Sequence, residues 1–187
     1  MVSDETPATD DANSEHEPSD FGDDVGAEAP TRFGAIVEDS LGDVVLHASV
    51  EQYFDTASAA HGDGFALLVD LTAVDFLTYA GTRRLPHGVS PERFEIVTSL
   101  LNPQRRERIR IRVQVPADEP AVASMFDLWP GSEILEREIY DLFGIDFADH
   151  PDMTRVLMPE DWEGHPLRKD YAVNSIPVQF KSVSNIR

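Results

Sequence analysis

Asp149, His150, Asp161 and His165 are the residues whose types could most readily do chemistry. Imidazole nitrogens and carboxylate oxygens together suit a mixed nitrogen and oxygen metal site, and a metal so held could serve a hydrolase. Their spacing matches no common ligand pattern. Both histidines adjoin a proline, as His150-Pro151 and His165-Pro166, which suits an imidazole that pins an extended chain by hydrogen bonds. Glu136 and Glu138 offer a general acid and base, but residues two apart on a helix point in different directions. Structural ion pairs with Arg137, Arg155 or Arg168 suit these carboxylates better. Other chemistries are excluded by residue type. The chain has no cysteine, which removes disulfides, thiol nucleophiles and thiolate-ligated zinc or iron–sulfur clusters. Gly62-Asp63-Gly64 lacks a third glycine and precedes a strand pattern, so it is a turn and not a nucleotide fingerprint. There is no P-loop, no Gly-x-Ser-x-Gly and no His-Glu-x-x-His.

The elements that must position these residues begin with a helix over Ser132 to Phe143. Ser132 is a good N-cap, Glu133 complements the positive helix start, and Gly144 is a good stop. Leu135, Ile139, Leu142 and Phe143 share a face at helical spacing, which directs Glu136 and Arg137 away from the core. Beyond Gly144 the chain is broken by Pro151, Pro159 and Pro166, each of which also restricts the residue before it. The segment is nevertheless dense in large apolar groups: Phe147, Met153, Leu157, Trp162, Leu167 and Tyr171. Irregular backbone of this composition cannot satisfy its own hydrogen bonds when buried, so it must lie against something. It packs either over its own domain or over a second protein.

The run Glu136-Arg137-Glu138, Tyr140-Asp141-Leu142-Phe143-Gly144-Ile145, Phe147, His150-Pro151, Arg155, Asp161-Trp162 and Gly164-His165-Pro166-Leu167-Arg168-Lys169-Asp170-Tyr171 resembles a family signature. It is that of the thirty-kilodalton subunit family of NADH-quinone oxidoreductase, respiratory complex I. A fainter part of the pattern is Asp70-Leu71-Thr72-Ala73-Val74-Asp75, and Ala172 stands where the family often has proline. The resemblance implies a subunit of the peripheral, hydrophilic arm of a proton-translocating enzyme that passes electrons from NADH through FMN and iron–sulfur clusters to quinone. It implies that this chain has no active site and binds no cofactor, the FMN and clusters residing in partner subunits. The implied partners are other peripheral-arm subunits of complex I, chiefly the quinone-site subunit and the terminal-cluster subunit. The implied location is the cytoplasmic side of a prokaryotic plasma membrane. The residues expected to dock those partners are Glu136, Arg137, Glu138, Phe147, His150, Arg155, Trp162, His165, Arg168, Lys169, Asp170 and Tyr171, with no catalytic or metal residue among them. The alternative is a free-standing metal-dependent hydrolase using His150 and His165.

Composition bounds both alternatives. The chain has 187 residues and a net charge of −20, which argues against nucleic acid and anionic lipid as partners. Ten acids and no lysine or arginine fall within residues 1–30, and that acidic leader is expected to be disordered. No run of eighteen apolar residues exists that could span a membrane. Val50 to Ala60 forms an amphipathic helix opened by a capping box at Ser49 to Gln52. Phe65 to Leu71 reads as a central strand covered on both faces. Thr78 to Pro91 is a loop, and Val44 to Leu46 a short strand. Arg93 to Leu101 and Arg108 to Val115 form a hairpin, with Arg108, Arg110 and Arg112 alternating against Ile109, Ile111 and Val113. That arginine face is solvated, docks an acidic neighbour or pairs with the adjacent strand. Asp118 to Trp129 is expected to be a second helix, with Val122, Met125, Phe126 and Trp129 at helical spacing. The expected fold class is α+β: a small mixed or antiparallel sheet with flanking helices, followed by a long extended C-terminal segment. The expected domains are the leader at 1–30, the α+β domain at 31–144, and a partner-binding strap at 145–187 that gains its order from other polypeptides.

Overall fold

The alternation of arginine with Ile and Val at 108–113 places one apolar face of a strand on a core, and that strand lies inside the sheet. The computed structural model describes residues 29–172. In chain order the elements are β1 (Thr31–Arg32), β2 (Ala35–Ser40), β3 (Asp43–Ala48), α1 (Tyr53–Gly62), β4 (Leu67–Asp75), β5 (Phe94–Asn102), β6 (Glu107–Val115), β7 (Ala121–Ala123), α2 (Ser132–Phe143) and β8 (Asp146–Ala148). Six strands form one sheet in the order β1-β2-β3-β6-β5-β4. Its pairs are antiparallel except β3 with β6. Strands β7 and β8 form a separate parallel pair, Val122 opposite Phe147. The expected α+β class with a mixed sheet and flanking helices is what the chain adopts.

Both helices pack on the same sheet face, where Ile96, Thr98, Leu100, Ile109, Ile111 and Val113 are fully buried against Tyr53 and Ala57 of α1 and Ile139 of α2. Each such aliphatic side chain contributes roughly 1.5–3 kcal/mol by leaving water. The buried Tyr53 hydroxyl is satisfied by Thr98 Oγ1 at 2.6 Å. The opposite face carries the arginines, and Arg110 and Arg112 pair with neighbouring strands. Arg110 reaches Asp43 at 2.7 Å and Arg112 reaches the buried Glu95 at 2.7 Å. The 76–93 loop adds Arg83, which donates to Glu95 at 2.6 Å and to Gln114 Oε1 at 2.7 Å while stacking over Phe76.

Several expectations from the sequence are corrected. Residues 118–129 form no helix. Instead 121–123 pair with β8, with Ser124 N–H donating to Ala148 O, and a turn at Met125 brings Trp129 inward. Val122, Met125 and Trp129 are buried as their spacing demands, but a strand followed by a turn can bury the same set. The run Phe65 to Leu71 is not a central strand. It enters β4, the sheet edge, and a bulge between Leu68 and Asp70 leaves Leu67 and Val69 49% and 47% exposed. The segment 31–47 holds three strands where one short strand was expected. Helix α1 starts at Tyr53, three residues after Val50; the capping box does close, Ser49 and Gln52 exchanging backbone-to-side-chain bonds at 3.3 Å in both directions. The N-cap of α2 is Gly131, and Ser132 is its first, buried residue. Residues 1–28 of the leader at 1–30, and residues 173–187 of the strap, lie outside the described residues.

Candidate functional site: a ribbon tied to the second helix

Helix α2 ends at Gly144, whose φ of 67° is the left-handed conformation that glycine adopts without strain. Its buried stripe is Ser132, Glu136, Ile139 and Phe143, rotated from the expected one, so Glu136 points into the protein rather than away from it. The Glu136 carboxylate is fully buried and accepts from Ser124 Oγ at 2.6 Å and Met125 N–H at 2.7 Å. Burial raises its pKa above the ordinary carboxylate value, and those two bonds only partly oppose the shift. His150 lies 3.9 Å from it. The His150 Nδ1 accepts from Asp152 N–H at 3.0 Å, so Nε2 carries the proton and donates to Glu133 O at 3.2 Å. This imidazole pins the start of the ribbon to the first turn of α2.

Asp141 organises the middle. Its Oδ2 accepts the consecutive N–H groups of Val156, Leu157 and Met158 at 3.1, 2.8 and 2.8 Å, and Arg155 donates to Oδ1. Burial alone would raise its pKa; the backbone donors and Arg155 outweigh it and hold the carboxyl below its ordinary range. Arg137, from the preceding turn of α2, donates to Thr154 O at 3.0 Å and to Thr154 Oγ1 at 2.7 Å.

The last turn of α2 leaves carbonyls with no helical partner, and the ribbon supplies their donors. Leu167 N–H donates to Leu142 O at 3.0 Å, and Arg168 donates to Phe143 O and to Gly144 O. The cation also complements the negative helix end. His165 Nδ1 donates to Asp141 O at 3.0 Å, and burial lowers its pKa below the ordinary imidazole value. The far end is tied to the sheet edge. Asp75 Oδ2 accepts Lys169 N–H at 2.8 Å and Arg93 at 2.9 Å, and Arg93 also pairs with Asp170 at 2.8 Å. Burial would raise the Asp75 pKa, but Arg93 and two backbone donors depress it; Arg93 likewise depresses Asp170.

The twelve residues singled out in the sequence thus divide. Glu136 and Phe147 are core. Arg137, His150, Arg155, His165, Arg168 and Asp170 are spent on intramolecular bonds. Trp162 and Tyr171 are half-buried on the ribbon, and Glu138 and Lys169 are exposed. Residues 145–172 are tied to the chain's own α2 and β4. Sequence reasoning missed Ser124, Asp75 and Arg93 as members of this site. A signal existed for Asp75, which falls on the same strand parity as the buried Leu71 and Ala73. A carboxylate on an apolar face requires a partner. His150 and His165 serve opposite ends of α2, and no group of three or more His, Asp or Glu among the described residues is placed to hold a metal.

This α+β fold occurs in subunits of respiratory complexes. A solved structure titled as a trypsin-resistant fragment (1-134) of Nqo5 is similar over 64% of this chain and 89% of that one, with a TM-score of 0.57 and 36% identity. A chain of an archaeal respiratory membrane complex, the membrane-bound sulfane sulfur reductase, shares the fold at a TM-score of 0.58, over 70% of this chain and 72% of that one, with 22% identity. The family described as "Respiratory-chain NADH dehydrogenase, 30 Kd subunit" matches residues 46–176. NADH-quinone oxidoreductase subunit 5 of Thermus thermophilus is 38% identical over 159 residues, covering 82% of this chain and 73% of the relative. An NADH-quinone oxidoreductase subunit of Roseiflexus castenholzii is 42% identical over 142 residues, 74% of this chain and 75% of the relative. The chain belongs to the 30 Kd subunit family of respiratory-chain NADH dehydrogenase.

Proposed function

We propose that this chain is a cofactor-free structural subunit of the peripheral arm of NADH-quinone oxidoreductase, seated on the cytoplasmic side of the membrane. It clamps the quinone-site subunit and the terminal-cluster subunit in fixed geometry. Electrons pass from NADH through FMN and iron–sulfur clusters held by other subunits, and this chain contributes rigidity to the spacing that such transfer needs. The absence of cysteine accords with this role. One observation carries the proposal: the ribbon spends its arginines inward and leaves two of its leucines outward. Leu157 is 57% exposed and Leu167 45% exposed on backbone that Asp141 and α2 hold rigid. Ile134 of α2 is exposed as well, and the buried Trp162 indole N–H has no acceptor among the described residues. Anchors presented on a preorganised backbone dock with little ordering cost. Glu138 and Lys169 stand at the rim, where charge sets register and on-rate. The hydrolase alternative finds no support, because His150 and His165 are each engaged with backbone groups and sit in separate clusters.

The test replaces both anchors. Leu157→Glu/Leu167→Glu should unfold near the wild-type temperature, since about half of each residue already meets water, yet fail to co-purify with the other subunits. Wild-type recovery of that variant in the intact complex would sink the clamp. Metal and flavin analysis of the purified wild-type chain should give neither at stoichiometric levels.

A further inference from the structure

The sheet face opposite the helices differs between its two ends. Directly paired residues of neighbouring strands share a face, so the register defines rows across it. Gln114, Glu95 and Val74 form one row, and there the 76–93 loop bears on the sheet through Arg83, which bonds both Glu95 and Gln114. At the other end the row is Arg108, Leu101 and Leu67. Leu67 is 49% exposed, and Val69, at the bulge of the same strand, is 47% exposed. Strand β4 is the edge of the sheet, and it carries no lysine, arginine or proline to blunt that edge.

Arg108 supplies the independent observation. It is exposed and has no carboxylate partner among the described residues, whereas Arg110 and Arg112 of the same strand each hold one at 2.7 Å. The chain has 35 acids against 15 lysines and arginines, so a cation left over is not explained by a shortage of acids. Asp70 lies in the next row, opposite Ser99, and its Oδ1 accepts Leu71 N–H at 3.0 Å. Arg106, in the β5–β6 turn, is also exposed and unpaired among the described residues.

An apolar edge beside an uncompensated guanidinium defines the occupant's chemistry. Apolar side chains cover Leu67 and Val69, and a carboxylate takes the fork of Arg108. An anionic membrane surface does not fit a chain of net charge −20. The chain's own residues 1–30 hold ten acids but only Met1, Val2, Phe21 and Val25 as large apolar groups, so they match the charge better than the apolar part. We infer that this corner of the sheet receives a segment of a neighbouring subunit that presents an apolar side chain beside an Asp or Glu. The apolar group seats on Leu67 and Val69, and the carboxylate pairs with Arg108. The inference rests on the reading of the chain as a subunit of a larger complex, and it adds a contact separate from Leu157 and Leu167 of the ribbon.

The experiment uses the full chain and a purified complex depleted of this subunit. The photo-crosslinking residue p-benzoylphenylalanine replaces Val69, and crosslinked peptides are read by mass spectrometry. The expected product joins position 69 to a peptide of another subunit that contains an apolar residue next to Asp or Glu. In parallel, Arg108→Gln and Leu67→Ser should each melt within about 3 °C of wild type, being surface changes. Each should bind the depleted complex about tenfold more weakly at low salt. Arg108→Gln should also show a shallower salt dependence than wild type, while Leu67→Ser keeps the wild-type slope. A crosslink to residues 1–30, or to a second copy of this chain, overturns the inference. So does the absence of any crosslink in the assembled complex. A crosslink to another subunit with an unchanged salt slope in Arg108→Gln identifies a neutral partner and rejects the acidic one. If either variant fails to fold, the crosslink decides alone. If the wild-type chain does not join the complex at all, the subunit assignment fails instead, so the two failures are distinguishable.

Discussion

A carboxylate that collects three consecutive backbone N–H groups does for an irregular ribbon what a strand partner does for a strand. Asp141 accepts from Val156, Leu157 and Met158, and its side chain is fully buried beside Arg155. Asparagine is nearly isosteric but presents donors where the ribbon also presents donors. Asp141→Asn should therefore destabilise the ribbon by about 3–5 kcal/mol, the cost of stripping the partner from a buried cation and its accompanying bonds. The loss is local, since the sheet core does not depend on it. Trypsin should then cut after Arg155 in the variant at neutral pH, while the wild-type chain keeps that bond protected. Equal cleavage in the two proteins would remove Asp141 from its central role. None of this was visible in the sequence beyond the unusual composition of the stretch. Asp141 and Arg155 are fourteen positions apart in the sequence, and only a turn whose backbone bends around a carboxylate joins them.

At the scale of elements, the stop of α2 is the point where helix and ribbon lock together. A Cβ at Gly144 would lie 2.5 Å from His165 Nε2 and 2.8 Å from Arg168 Nη2, on backbone already at positive φ. Gly144→Ala must accept a left-handed conformation, costing about 1–2 kcal/mol, and must push away the two side chains that satisfy the helix's last carbonyls. It should lower the melting temperature and raise amide exchange at Leu167. Gly131→Ala, with nothing near its Cβ and ordinary backbone, is the matched control and should do neither. The stop itself was legible, because glycine after a helical stripe marks a left-handed cap whatever lies around it. So was the β5–β6 hairpin, where Arg-Ile alternation has only one structural solution. The phase of the α2 stripe was not legible. Glu136 sits at a core position because Ser124 and the Met125 N–H await it, and those donors come from a segment whose spacing imitates a helix. The edge position of β4 was hidden for a related reason: its apolar run is continuous, and nothing local says that one face goes uncovered.

Across the whole molecule, the ribbon is tied at its middle and far end by acids of depressed pKa, and an acid of raised pKa lies beside its start. These respond to protons in opposite senses. Asp75 and Asp141 are held below the ordinary aspartate value of about 3.9. Their contribution is fully present above that ordinary value and is lost as pH falls through the lower folded values. Glu136 is raised by burial, so its contribution is fully present below the unfolded value of about 4.3 and is lost as pH rises through the folded one. Acid therefore loosens the ribbon while relieving the charge buried at the domain's centre. The expected acid titration of the isolated chain has two stages. Amide protection at Val156, Leu157, Met158 and Lys169 should disappear first, below about pH 4, while protection in β5 and β6 persists. The paired variant Asp75→Asn/Asp141→Asn should lack the first stage, being already open at neutral pH. A single cooperative loss of ribbon and sheet together would mean that the ribbon is part of the domain's core rather than a surface tied onto it. In that case the exposed Leu157 and Leu167 would not lie on a separately ordered layer.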